Sequence, residues 1–171
     1  MATGTEKTRL AAAIISRFLQ ANQAERVLFI VDRIELAKQA FEAFQTAFMD
    51  KYKSVRYKPG RHGEWGGVSV VIATIQSLNI HYKKDFTPGY FDLVFNDECH
   101  RSIYGELPRQ VVEYFQATRI GLTATPKDFL KNIDIGQLSE SNPKALEYRI
   151  MRDTVLLDIF GTTILSLKLV L

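Results

Sequence analysis

The chain has 171 residues, of which 46% are hydrophobic and 24% are charged, a size and composition typical of a single folded domain. Its net charge of +3 and isoelectric point of about 9.0 permit a nucleic-acid partner without requiring one. The lone cysteine, Cys99, excludes an internal disulfide, and no secretory signal or apolar run of the roughly 18 to 20 residues of a membrane span is found, so we expect a cytoplasmic protein with no membrane role.

Helical and strand-like patterns alternate along the chain. Segments with apolar residues at helical spacing are separated by short, continuously apolar runs of the kind that strands buried on both faces show. The predicted helices are 8–21, 33–52 and 108–115, and the predicted strands are 26–32, 69–73, 92–96 and 119–123. This alternation predicts an α/β fold with a mainly parallel sheet flanked by helices.

The stretch 54–68 is polar and rich in glycine, which predicts a loop or hairpin. Its basic and aromatic residues are Arg56, Lys58, Arg61, His62, Tyr57 and Trp65. Basic residues interleaved with aromatics occur on surfaces that contact a nucleic-acid backbone, but exposed loops beside a sheet edge commonly have the same composition.

The first nine residues, MATGTEKTR, match the end of a phosphate-binding loop. In such loops backbone N–H groups, here near Gly4 and Thr5, converge on the phosphates. A lysine neutralises the phosphate oxygens and a hydroxyl holds Mg²⁺, the roles predicted for Lys7 and Thr8. A chance match at the start of a helix is the alternative.

Two adjacent carboxylates, Asp97 and Glu98, follow the apolar run that ends at Asn96. Acidic residues at the carboxyl end of a parallel strand lie where such sheets bind ligands. Asp97 is predicted to hold Mg²⁺, and Glu98 to polarise the attacking water as a general base. A solvated acidic pair is the alternative, but that alternative does not predict a phosphate-binding segment upstream.

Five ordered segments, MATGT.KT, FIVDRIELAKQ, VVIATIQSL, DECH and GLTATP, resemble the first motor domain of superfamily 2 helicases. The greatest similarity is to the motor subunit of type I restriction enzymes. The resemblance implies a RecA-like P-loop domain over 1–150 that binds ATP and Mg²⁺ and couples ATP hydrolysis to translocation on double-stranded DNA. Its implied partners are the methylation and specificity subunits of a restriction complex.

The same resemblance assigns roles to individual residues. It places Lys7 and Thr8 in motif I, and Asp97 and Glu98 in motif II. It implies coupling roles for His100, Thr123 and Thr125, and DNA contacts for Arg33, Thr74 and Gln76. From the residues alone, Thr74 is equally compatible with a simple helix N-cap, and the two threonines with a polar turn before Pro126. Cys99 and the three scattered histidines lack the ligand spacing of a zinc site.

Three departures from the family pattern lead us to expect an inactive fragment. Glu6 stands where the family has glycine, which adds negative charge and, if positive φ were required, backbone strain. The first, central strand and the second motor domain have no counterpart in the sequence. The tail, 151–171, is apolar and unlike the family, as a frameshifted terminus would be, although a closing strand or helix is the alternative. A catalytically silent partner-binding module or a weak DNA-binding module remains the alternative function.

Overall fold

The structure, a computed structural model, describes residues 4–61, 63–97, 106–123, 154–158 and 164–165. Its helices are α1 (Gly4–Gln20), α2 (Ile34–Phe48), α3 (Ile75–Asp85) and α4 (Glu106–Tyr114). Its strands are β1 (Val27–Val31), β2 (Ser54–Arg56), β3 (Val70–Thr74), β4 (Leu93–Asp97), β5 (Thr118–Thr123), β6 (Thr154–Asp158) and β7 (Ile164–Leu165). The predicted strands and helices are therefore present, with ends shifted by a few residues.

The strands form one sheet in the order β2-β3-β1-β4-β5-β6-β7. Neighbouring strands are parallel except β6 and β7, which are antiparallel. Val27, at the start of β1, lies opposite both Val70 and Leu93, so the three central strands begin at one level. The mainly parallel sheet flanked by helices is confirmed.

Alternating residues of the strands build two separate cores, one on each face of the sheet. On one face, Phe29 packs against Phe44 and Phe95 with ring centroids 4.9 and 5.7 Å apart, beneath α1 and α2. On the other face, residues such as Leu28 and Val94 pack with side chains of α3 and α4. The fold is thus a sheet between two layers of helices.

The connection from α1 to β1 is fixed at the amino edge of the sheet by Asp92. The N–H groups of Glu25 and Arg26 each donate a 2.9 Å hydrogen bond to Oδ2 of Asp92. Because α1 ends at Gln20, just before this connection, and lies on the sheet, it runs against the strands. The N-terminal turn of α1 therefore lies toward the carboxyl edge of the sheet.

The stretch 54–68 differs in part from the prediction. Its first residues, Ser54–Arg56, form β2, which pairs parallel to β3, so the hairpin alternative is wrong for this pair. The rest is a loop with turns, as predicted. The second predicted helix also ends early, at Phe48, because Met49 and Asp50 adopt the left-handed region at φ 46° and 62°.

Two strands of the sheet come from the tail 151–171. β6 pairs parallel with β5, from Arg119 opposite Thr154 to Thr123 opposite Asp158. β5 therefore has a strand on each side, since β4 is its other neighbour. The placement agrees with the alternative of a closing strand, and the origin of the tail stays a prediction.

No helix in the described part of the chain has the length and apolar character needed to cross a bilayer.

Candidate functional site

The predicted site residues converge on the carboxyl edge of the sheet. Val31 lies opposite Thr74, and Ile30 opposite Asn96, so Thr74 and Asp97 end at the same level on either side of β1. With neighbouring strands about 4.8 Å apart, the backbones of Thr74 and Asp97 are separated by about 10 Å across the sheet. This edge is where parallel sheets bind ligands.

Lys7 and Thr8 lie near the N-terminus of α1 and are only 7% and 8% exposed. A lysine is rarely so buried unless it is paired. The N-terminal turn of α1 lies toward the carboxyl edge, so this buried cation and hydroxyl lie on that side of α1, and Thr8 also lines a cavity against Gln39 and Ala43 of α2.

Asp97 ends β4 and is 8% exposed. Leu93 and Phe95 on the same strand belong to the core beneath α1 and α2, so strand alternation turns Asp97 toward that helix layer. A buried carboxylate, cation and hydroxyl thus come from two elements, α1 and β4, that build the same core. This donor set fits a magnesium-bound phosphate, because carboxylate and hydroxyl oxygens suit Mg²⁺ and a lysine suits phosphate.

The segment predicted to be a phosphate loop is helical from Gly4 onward. The N–H groups of the first helical turn have no partner within a helix, so Gly4 and Thr5 still offer donors of the kind that bind phosphate. Glu6 also lies in this turn, where the right-handed backbone requires no positive φ. The backbone strain considered for Glu6 therefore does not arise in this structure, and the effect of its negative charge stays a prediction.

The other predicted groups of the nucleotide site are not described. Glu98, His100 and Thr125 lie outside the described residues, and Thr123 is the last residue of β5. Their catalytic and coupling roles stay predictions. Cys99 and His62 also lie outside, and among the residues that the structure does describe no group of three or more His, Cys, Asp or Glu gathers.

The residues predicted to touch DNA line a second space, which we call the edge cavity. Its volume is about 660 Å³, and it opens between the start of α2 and the ends of β2 and β3. Its charged and polar lining residues are Asp32, Arg33, Glu35, Arg56, Tyr57, Lys58, Thr74, Gln76 and Ser77. The structure therefore brings Arg33, Thr74 and Gln76 together, apart from Lys7 and Asp97, which do not line this cavity.

Thr74 caps α3. Its hydroxyl oxygen accepts a 3.1 Å hydrogen bond from the N–H of Ser77, and the hydroxyl of Ser77 lies 3.1 Å from the N–H of Thr74, which completes a capping box. The capping alternative is thus confirmed. A hydroxyl can donate as well as accept, so a DNA contact stays a prediction.

The aromatic residues of the 54–68 stretch are not available for stacking with bases. Tyr57 and Trp65 are each 6% exposed, and both pack against Phe86, with ring centroids 5.6 and 5.1 Å away. The hydroxyl of Tyr57 donates to Asp85. Burial first, and then this hydrogen bond, raises the pKa of Tyr57. The aromatics hold the loop on the domain and leave only the cations as contacts for a nucleic acid.

From the sequence, a weak DNA-binding module would need Arg33, Arg56, Lys58 and Arg61 on one face, and Asp32 and Glu35 are not singled out as neighbours; the cavity brings together the first three of these cations without Arg61. The signal was partly present, because Arg33 and Arg56 each lie at or just beyond the end of a strand. That β2 pairs beside β3, and so brings Arg56 to this edge, is not visible in local sequence.

The chain is similar in sequence to a known family and to named relatives. The profile of the family described as "Type III restriction enzyme, res subunit" matches residues 1–128. The chain is 32% identical over 151 residues to the EcoKI endonuclease subunit of Escherichia coli K12, and 36% identical over 135 residues to the EcoAI endonuclease subunit of Escherichia coli, both type I restriction enzymes. These matches cover 74% and 75% of the chain, which spans only 13% and 16% of the length of those relatives.

Solved structures share the fold at low sequence identity. The Hef helicase domain of Pyrococcus furiosus aligns with 93% of this chain, with a TM-score of 0.66 and 18% identity, and the match covers 34% of the Hef chain. Saccharomyces cerevisiae Dbp5, solved with RNA and ADP BeF3, aligns with 90% of this chain, with a TM-score of 0.61 and 16% identity, and the match covers 39% of the Dbp5 chain. These solved structures show the fold that the chain shares with the Hef helicase domain, and the sequence matches show that the chain belongs to the restriction-enzyme res subunit family and is homologous to type I restriction endonuclease subunits.

Proposed function

We propose that this chain is the ATP-binding motor lobe of a DNA translocase of the type I restriction class, in which ATP hydrolysis drives movement along double-stranded DNA. One observation supports the proposal: Lys7 and Thr8 near the start of α1 and Asp97 at the end of β4 are all buried, and α1 and β4 both contribute to the core on one face of the sheet. Family membership supports it. Methylation and specificity subunits are the proposed partners, in the cytoplasm.

In this proposal Lys7 and the N–H groups around Gly4 and Thr5 bind the phosphates of ATP. Thr8 and Asp97 hold Mg²⁺, which when bound neutralises charge on the phosphate oxygens. Glu98 orients and deprotonates the attacking water. His100, Thr123 and Thr125 link the nucleotide site to the strand contacts at Arg33, Thr74 and Gln76.

Glu6 sets how well the proposed site works. A carboxylate in the first turn favours the helix by about 0.3–1 kcal/mol, because it complements the positive end of the helix dipole. The same charge competes with an incoming phosphate for that dipole and for Lys7. We therefore expect weak nucleotide binding and little turnover from the chain alone.

The first test is a titration with a fluorescent ATP analogue and Mg²⁺. Lys7→Ala should weaken binding by roughly 10- to 100-fold, the effect of losing a hydrogen bond to a charged group. Glu6→Gly should tighten binding by about tenfold, because a like charge within several ångströms of the phosphates is removed. Lys38→Ala is the matched control, since Lys38 is an exposed lysine on α2 outside both sites.

The outcomes separate the proposed site from general charge effects. Equal weakening by Lys7→Ala and Lys38→Ala would contradict a specific phosphate site. Equal binding by the parent and Glu6→Gly would show that Glu6 is no obstacle. Circular dichroism of each variant checks folding, because glycine within a helix costs about 1 kcal/mol.

A further inference from the structure

The edge cavity contains two cations that no motif explains. Arg56 ends β2, and Lys58 follows two residues later. Both line the cavity together with Arg33, which lies between β1 and α2. The three cations come from two elements on either side of β3, so they form a row rather than a single cluster.

The fold holds Arg56 toward the cavity. Val55 and Tyr57 pack on the face of the sheet that carries α3, so strand alternation turns Arg56 to the opposite face. There its guanidinium carbon lies 5.9 Å from the centre of the Phe41 ring on α2. The N–H of Tyr57 continues the pairing with β3 by donating to the carbonyl of Ile72 at 2.8 Å. Residues 56–58, here called the arm, are thus fixed at the cavity wall.

The charges on the arm differ from those of the loop beyond it. Arg61 forms a 3.0 Å ion pair with Glu64 and does not line the cavity. Among the described residues, neither Arg56 nor Lys58 forms such an ion pair with a carboxylate. The cavity also contains the carboxylates of Asp32 and Glu35, so its lining carries three cations and two anions. Phosphates would approach from the Arg56 and Lys58 side.

We propose that Arg56 and Lys58 bind backbone phosphates of a DNA strand in the edge cavity, and thereby extend the contact expected at Arg33, Thr74 and Gln76. This inference rests on the proposed function, in which DNA passes along this edge. A row of cations across neighbouring strands, spanning about 10 Å, suits a polyanion better than one free phosphate. Because Tyr57 and Trp65 are buried, the contact reads charge and not base identity.

The test is fluorescence anisotropy of the full chain with a labelled DNA duplex at several NaCl concentrations. Arg56→Gln and Lys58→Gln keep most of each side chain and remove its charge. Each should weaken binding at low salt and lower the slope of log K against log salt by about 1, and the double variant by about 2. Arg61→Gln is the matched control with the same charge change in the same loop, and it should leave the slope unchanged.

A second substitution tests whether negative charge in the cavity lining opposes DNA binding. Glu35→Gln removes a carboxylate from the lining and should tighten DNA binding without changing the number of phosphates bound. Arg56→Lys keeps the charge and should retain the parent slope. Unchanged slopes in Arg56→Gln and Lys58→Gln, or equal losses in Arg61→Gln, would overturn the proposal.

Nucleotide binding keeps this inference distinguishable from the proposed function. Arg56→Gln and Lys58→Gln should bind the fluorescent ATP analogue as the parent does, because neither residue lies with Lys7 and Asp97. If the salt slopes change as expected but the parent binds no nucleotide, DNA binding by the arm is supported and the proposed motor site is contradicted. If the parent chain shows no salt-dependent DNA binding, the proposal for the arm is contradicted. The nucleotide titration still tests the proposed motor site independently.

Discussion

At the scale of single residues, Tyr57 ties the arm to the domain. Its ring is buried against Trp65 and Phe86, and its hydroxyl donates to Asp85 near the end of α3. Tyr57 stands between Arg56 and Lys58, so its anchoring fixes the backbone that carries both cations. The aromatic residue that resembles a base-stacking group in the sequence is thus a support for its charged neighbours.

The raised pKa of Tyr57 predicts a stability effect in alkali. A tyrosine in the unfolded chain loses its proton near pH 10, whereas burial and the hydrogen bond to Asp85 keep Tyr57 protonated to higher pH in the folded chain. The unfolded state therefore binds fewer protons above pH 10, and the stability that Tyr57 provides, complete below that pH, is lost as the pH rises. Tyr57→Phe should cost about 1 kcal/mol at pH 7 and less at pH 11.

Urea unfolding between pH 7 and pH 11 measures this difference. Tyr52→Phe serves as the control, because the Tyr52 hydroxyl forms no hydrogen bond with the described residues, although its ring packs on Phe48. A Tyr57→Phe deficit that stays constant up to pH 11 would contradict the assignment of the raised pKa to the buried hydroxyl.

At the scale of elements, the capping box at the start of α3 gives Thr74 a structural role. The helix follows β3 without a linker, so one residue both ends the strand and caps the helix. Because Thr74 is 5% exposed and its oxygen accepts from the N–H of Ser77, the hydroxyl that is proposed to contact DNA also stabilises the start of α3.

Substitution at Thr74 separates these two roles. Thr74→Ala should lower the free energy of unfolding by about 1 kcal/mol, the typical cost of a lost N-cap, and Thr74→Ser should restore it. Chemical denaturation measures the change, and DNA anisotropy on the same samples shows whether affinity follows. A Thr74→Ala chain as stable as the parent would mean that the hydroxyl does not support α3.

The elements that sequence reasoning found share a physical cause. β1, β3 and β4 are five-residue runs buried along their whole length, so composition alone marks them. β2 is half-buried and has only three residues. Its partner strand β3 begins at Val70, 14 positions after Arg56, the last residue of β2. Parallel pairing of an edge strand depends on that distant partner, and local pattern does not contain it.

The candidate site likewise has one part that the local sequence predicts and one part that depends on the pairing of distant strands. Lys7, Thr8 and Asp97 are predicted from residue type and order, because phosphate and Mg²⁺ chemistry restricts which side chains can serve. The edge cavity is not, since Arg33 and Arg56 come together only through the strand order β2-β3-β1. Likewise, the end of α2 at Met49 carries no glycine signal, because the positive φ there belongs to a methionine.

At the scale of the whole molecule, one sheet edge carries both proposed binding regions. Asp97, one of the residues proposed for the nucleotide site, ends β4 on one side of β1, and the edge cavity lies on the other side, beside β3 and β2. The two regions are therefore separated by roughly two strand spacings, about 10 Å. Any coupling between ATP and DNA in this lobe has to cross β1 and the start of α2, which packs on the same core as α1.

The tail supplies the last test of the whole fold. β6 covers the side of β5 that β4 leaves open, and Ile120 and Leu122 of β5 are buried in the core under α1. A chain that lacks residues 151–171 would expose the N–H and C=O groups of β5 as an edge, which promotes pairing between chains. We expect its melting temperature to fall by more than about 5 °C, with aggregation that increases with concentration.

Removal of residues 166–171 alone is the matched control, because it leaves β6 and β7 in place. Thermal melts and size-exclusion chromatography of the two shortened chains should then differ, with only the longer deletion destabilised. If both shortened chains melt with the parent and remain monomeric, β6 contributes nothing to stability in solution. The tail would then be an addition to a domain whose sheet is already stable with β5 as its edge strand.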